Sequence, residues 1–119
     1  MKVKTKTQAP ADIAVSDADN ISLTINIGDA QIGGSVVQFS GSPNPIGKGE
    51  IAALALGTGA ALKGKTLNVT TNILDVNKAS MLVSAAHQFQ NGNPPAFNLA
   101  DSVDNVGDIF SWATTYNFK

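Results

Sequence analysis

The chain has no cysteine and no arginine, and its 119 residues include one histidine, one tryptophan, one tyrosine and one glutamate. Each shortage closes off some chemistry. Without cysteine there is no disulfide staple, no thiolate nucleophile and no metal centre built on sulfur. Without arginine the forked donor best suited to phosphates and guanine edges is missing. With a formal net charge of −1, nucleic acid is not an expected partner. Charged residues make up 14% of the chain, well under the roughly 25% usual for soluble domains. Thr, Ser, Asn, Gly and Ala take their place, a neutral hydrogen-bonding surface that leans towards an extracellular or surface setting. Eight of the nine acids are Asp, a turn and cap residue rather than a helix former, which argues against a helical protein.

Long apolar runs are also lacking. The longest, IAALALGTGAAL (51–62), is too short to span a bilayer and carries two glycines, so no transmembrane segment is expected. Gln8, Pro10 and Asp12 interrupt any apolar stretch after Met1-Lys2-Val3-Lys4, so no signal peptide is expected either. The length suits a single domain, residues 1–119, with one core.

Strict alternation is what the chain does have. Val3, Thr5 and Thr7 alternate with Lys2, Lys4 and Lys6, which reads as a strand with one lysine face, a device that blunts a sheet edge. A short second element centres on Ile13 and Val15. In ISLTINI (21–27) Ile21, Leu23, Ile25 and Ile27 share a face, and Gly28-Asp29 turns the chain into AQIGGSVVQF (30–39). Residues 21–39 therefore read as a hairpin, with Gly33-Gly34 marking a bulge or a close backbone approach. IAALAL (51–56) reads as a buried strand in preference to a helix. KTLNVTTNIL (65–74) and SMLVSAAHQF (80–89) read as a second hairpin about the turn DVNK. Residues 90–108 read as a long irregular segment with at most a helical turn near 99–103. The chain closes on a strand with Phe110, Trp112, Thr114, Tyr116 and Phe118 on one face. The expected fold is an all-β antiparallel sandwich of about seven or eight strands, Ig-like or jelly-roll-like, with little or no helix.

One motif suggests a chemistry. GAALKGKT (59–66) matches the phosphate-loop pattern G-x-x-x-x-G-K-[ST]. A phosphate loop works because its amides curl at the start of a helix, so a helix has to come next. Here the next residues are LNVTTNIL, β-branched with period two and thus a strand. The octet is therefore expected to be a glycine turn entering a strand, with Lys65 facing solvent.

Three further constellations come with a structural alternative each. His87 is three residues from Ser84, which places the two on opposite faces of a strand, so a structural histidine is preferred to a catalytic one and no enzyme activity is expected. Asp17 and Asp19, with Asp101, Asp104 and Asp108, would give oxygen ligands for Ca²⁺ if their loops met with Asp75 and Asn77 at one end of the sandwich; solvated turns are preferred. Trp112 and Tyr116, with Phe97 in its proline loop, would form a sugar platform if exposed; a core role is preferred for the first two. The functional expectation is a non-enzymatic interaction or assembly module, meeting a protein partner or a second copy of itself through loops 40–49 and 90–108 or an edge strand. The alternative is a lectin-like module that binds glycan, with or without Ca²⁺.

Overall fold

The computed structural model describes residues 1–119. It contains ten strands: β1 (Val3–Thr7), β2 (Ala11–Ile13), β3 (Asn20–Ile27), β4 (Ile32–Phe39), β5 (Gly47–Gly49), β6 (Leu54–Thr58), β7 (Thr66–Leu74), β8 (Leu82–Gln90), β9 (Ala96–Ser102) and β10 (Ile109–Phe118). One four-residue helix, α1 (Gly59–Leu62), lies between β6 and β7. The strands form two packed sheets. The larger runs β1-β10-β7-β4-β5, with β2 also on β10, and the smaller runs β6-β3-β8-β9. The all-β sandwich expected from alternation and turn chemistry is the fold; it has ten strands because β5, within the expected loop 40–49, and β9, within the expected irregular segment 90–108, leave no periodic signal.

The long strands bury the faces their spacing marks. Ile21, Leu23 and Ile25 of β3, Leu67, Val69 and Ile73 of β7, and Phe110, Trp112 and Phe118 of β10 are all buried. Two pairings depart from expectation. Neither 21–39 nor 65–89 is a hairpin: β3 pairs with β6 and β8, β4 with β5 and β7, and β7 and β8 lie in different sheets. Both are arches that carry the chain across the core. Alternation reports which face of a strand is buried, and an arch and a hairpin share that pattern. The buried Gln31 side chain locks the arches together. Its Nε2 donates to the carbonyls of Ser80 and Leu82, and its Oε1 accepts from the amides of Val76 and Asn77.

The consecutive strands that do pair are β4 with the short β5, and β8 with β9, the latter antiparallel from Leu82↔Ser102 to Gln88↔Ala96. Residues 90–108 thus hold a seven-residue strand where an irregular segment was expected, and 99–103 is mostly extended rather than helical. Leu99 is its one fully inward apolar anchor, too sparse a pattern to announce a strand. Residues 51–53 are likewise outside β6, which begins at Leu54. At Gly33 there is close approach rather than a bulge: the register with β7 is continuous, and a Cβ would collide with the Asn72 carbonyl oxygen.

The interior divides into two apolar clusters. One of 13 buried residues includes Ile13, Leu23, Leu67, Val69, Phe89, Tyr116 and Phe118. The other, of 7, comprises Ile73, Val83, Ala85, Leu99, Val103, Phe110 and Trp112. Along β7, β8 and β10 the inward series passes from one cluster to the other through a polar residue: Thr71, His87 and Thr114, all buried.

Candidate functional site

Those inward polar residues form a belt that joins the sheets. Tyr116 Oη lies 2.7 Å from His87 Nδ1, His87 Nε2 lies 2.9 Å from Thr71 Oγ1, and Thr71 Oγ1 lies 2.9 Å from Ser35 Oγ. Thr114 Oγ1 donates to the Val69 carbonyl at 2.7 Å. His87 is wholly buried, and desolvation lowers its pKa to about 4. At neutral pH it is the uncharged imidazole, one nitrogen donating and the other accepting, as a chain of hydroxyls on both sides requires. Burial likewise raises the Tyr116 pKa to about 12. The relay has the donor and acceptor types of a catalytic relay, but His87 has no exposed surface and Ser84 faces the other side of β8. What it does physically is satisfy polar groups across the interface of two sheets. Thr71 and Ser35 belong to no motif in the sequence; the signal for Thr71 is a lone polar residue on the apolar face of each strong strand.

The other predicted residues separate. Trp112 is 1% and Tyr116 2% exposed, so neither offers a face for a sugar ring. Phe97 is half-buried, edge-on to Phe89 and 5.0 Å from the Tyr116 ring. The aromatic platform is therefore replaced by core packing.

The acids do not converge either. Asp19 precedes β3 at Asn20, which pairs with Thr58, while Asp101, Asp104 and Asp108 lie near Leu82, at the opposite end of β8. No three carboxylate or imidazole groups come within reach of one ion. Each predicted ligand but Asp19 has another partner: Asp17 meets Lys63, Asp104 meets Lys2, Asp101 meets Lys4 and Lys6, and Asp108 accepts from the amides of Lys2 and Asn105. The shared Ca²⁺ site therefore does not form, because turn geometry puts the clusters at opposite ends of a molecule 45 Å long. Asp75 is a different case. It continues the inward register of β7 after Ile73, is wholly buried, and neither carboxylate oxygen has a hydrogen-bond partner.

In GAALKGKT the helix comes first and the strand second. Thr58 caps α1 by accepting from the Ala61 amide, Gly64 turns the chain at φ +86°, and β7 begins at Thr66. Thr66 Oγ1 donates to Asn117 Oδ1, and the exposed Lys65 ammonium sits 5.5 Å from the centre of the Phe39 ring. The amides of a phosphate cradle are not assembled, since the motif leads into a strand and not a helix.

The outer edge of β10 is the most distinctive surface. β1 and β2 both lie parallel on it, from Val3↔Ile109 to Thr7↔Ala113 and from Ala11↔Tyr116 to Ile13↔Phe118. Ile13 of β2 is wholly buried, whereas every residue of β1 is exposed. Lys4 and Lys6 register with the inward residues Phe110 and Trp112, so the lysine face turns across the seam between the sheets. There Lys4 Nζ donates to the Ser102 carbonyl and Lys4 and Lys6 reach Asp101, while Lys2 Nζ donates to Asp104 at 2.9 Å. That hydrogen bond, with its ion pair, raises the Lys2 pKa and lowers that of Asp104. At the opposite seam β6 reaches only Leu23 of β3 and β5 only Ser35 of β4. A cleft of about 360 Å³ opens there, lined by Ile25, Ile27, Gly33, Gly34, Ser35 and Glu50 among others.

No helix is long and apolar enough to cross a membrane. Comparison with protein-family models, with curated proteins and with solved structures finds no match for this chain.

Proposed function

We propose that the domain is an interaction module that assembles with protein through its strand edges. The observation that carries this reading is β1, a five-residue strand laid on the edge of β10 with no side chain buried. Burying a side chain such as Ile13 is worth about 2 kcal/mol, and β1 has no such anchor. It is held by main-chain pairing and by lysines in water, where ion pairs contribute little. A strand held that way is a replaceable component of a sheet, and β-strand addition is the recognition mode it fits. Loop 40–49 contributes the short edge strand β5, and segment 90–108 contributes the edge strand β9.

Light scattering over about 10 µM to 1 mM, the range in which weak edge contacts are populated, tests the reading. The mean mass is expected to rise above that of one chain, with slowed amide exchange confined to β1, β9, β10 or the β5–β6 side. A constant monomer mass with unchanged amide exchange contradicts self-assembly as the mode.

A further inference from the structure

Resting on that reading, we propose that β1 exchanges between two copies of this chain, each copy's β1 pairing in parallel with residues 109–113 of the other's β10. Three observations lead there. The first is the division of the edge. β2 stays anchored, because Ile13 is buried, the Lys119 amide donates to the Ile13 carbonyl, and Ala14 exchanges main-chain hydrogen bonds with Asn93. Between Thr7 and Ala11 the chain makes one main-chain bond, from the Gln8 amide to the Ala113 carbonyl. Pro10 has no N–H and holds Ala9 extended, so this segment is suited to project a strand outward rather than fold it back.

The second is what the vacated edge would require. The Ile109 amide donates to the Lys2 carbonyl and the Gln8 amide to the Ala113 carbonyl, and strand alternation places the Lys4 and Lys6 amides on β10 between them. Beside this ladder stand Asp101 and Asp104, and the Phe110 ring lies 5.8 Å below the Lys4 ammonium. The edge therefore fits a strand with a cation at every second, inward-facing position. β1 has that pattern, and a second copy supplies it in the same register.

The third is the sign of the charges. Lys2, Lys4 and Lys6 repel a second lysine strand laid against them, so two copies are not expected to pair β1 with β1. Exchange onto β10 restores every contact in trans, in an isologous pair whose population depends on concentration and on the short linking segment.

The absence of cysteine makes the test direct. Thr5 and Ser111 are opposite one another and both point outward. Proteins carrying Thr5→Cys alone and Ser111→Cys alone, mixed under mild oxidation, are expected to give a one-to-one disulfide-linked pair. Its yield should exceed that of Thr5→Cys mixed with Thr115→Cys by about tenfold, since Thr115 is outside the register of β1. The double variant, oxidised when dilute, should lock β1 in place and stay monomeric at concentrations where the unaltered chain associates. Equal yields from the two mixtures overturn the exchange. So does a locked variant that associates as readily as the unaltered chain, an outcome that leaves the broader assembly reading standing. An unaltered chain that never associates overturns both the exchange and self-assembly as the mode.

Discussion

β1 and β2 run along the same edge of the same strand, in the same direction, yet they belong to the fold in different ways. β2 is three residues long and ends in a side chain wholly buried in the larger apolar cluster. β1 is longer and contributes nothing to either cluster; over the smaller one it lays lysines, not hydrophobes. Pairing length therefore does not measure how firmly a strand is held. What decides is whether it places a side chain between the sheets, since net main-chain hydrogen bonding contributes modestly and apolar burial is the larger favourable term.

The largest effect should come from removing the anchor of β2. Ile13→Ala is expected to lower the unfolding free energy by about 4 kcal/mol in urea denaturation, because it leaves a cavity in the larger cluster. Val3→Ala, on β1, should change it by less than about 0.5 kcal/mol. Similar losses at the two positions would erase the distinction.

Between pH 6.5 and 4, acid should act on the belt between the clusters. The His87 pKa is lowered from 6.5 to about 4 in the fold. Between those values the unfolded chain binds a proton that the native chain does not, so stability falls as pH drops from 6.5 to 4. The contribution of this group is constant above and below that window, and its full size is about 3 kcal/mol. Thermal or urea denaturation across pH, compared with His87→Gln, checks it: the variant should lose this component of the slope whatever its absolute stability.

A smaller gain is expected just beyond the end of β7. Asp75→Leu, close in shape, should raise stability by about 1 kcal/mol, since an apolar side chain replaces a buried polar group that has no hydrogen-bond partner. A loss in urea denaturation would contradict this. Smallest of all, Lys4→Ala with Lys6→Ala should shift stability by no more than about 0.5 kcal/mol, and 1 M salt should abolish the difference.

Much of this contrast was legible in the residues. The lysine alternation of residues 2–7 marked a blunted edge strand, and Ile13 and Val15 marked a short second element, though not its anchoring. GAALKGKT was legible through its C-terminal neighbour LNVTTNIL, which has strand spacing. Pairing was not legible. Gly28-Asp29 and DVNK turn the chain as a hairpin would, and only the far partners, β8 for β3 and β10 and β4 for β7, show that the chain crosses between sheets. β9 was hidden because it is an edge strand with a single fully buried apolar residue. The belt was half visible: Thr71, His87 and Thr114 each interrupt an apolar face, but that they fall at one level depends on registers set by tertiary structure.

The central claim, that β1 opens independently of the sandwich while β2 does not, is tested most directly by native-state hydrogen exchange. The Lys4 and Lys6 amides should exchange through local opening that is insensitive to low urea, at least about a hundredfold faster than the Ile13 amide, which should track global unfolding. Equal protection at Lys4, Lys6 and Ile13, with the same dependence on urea, would show that the whole edge opens as one unit and would contradict the account.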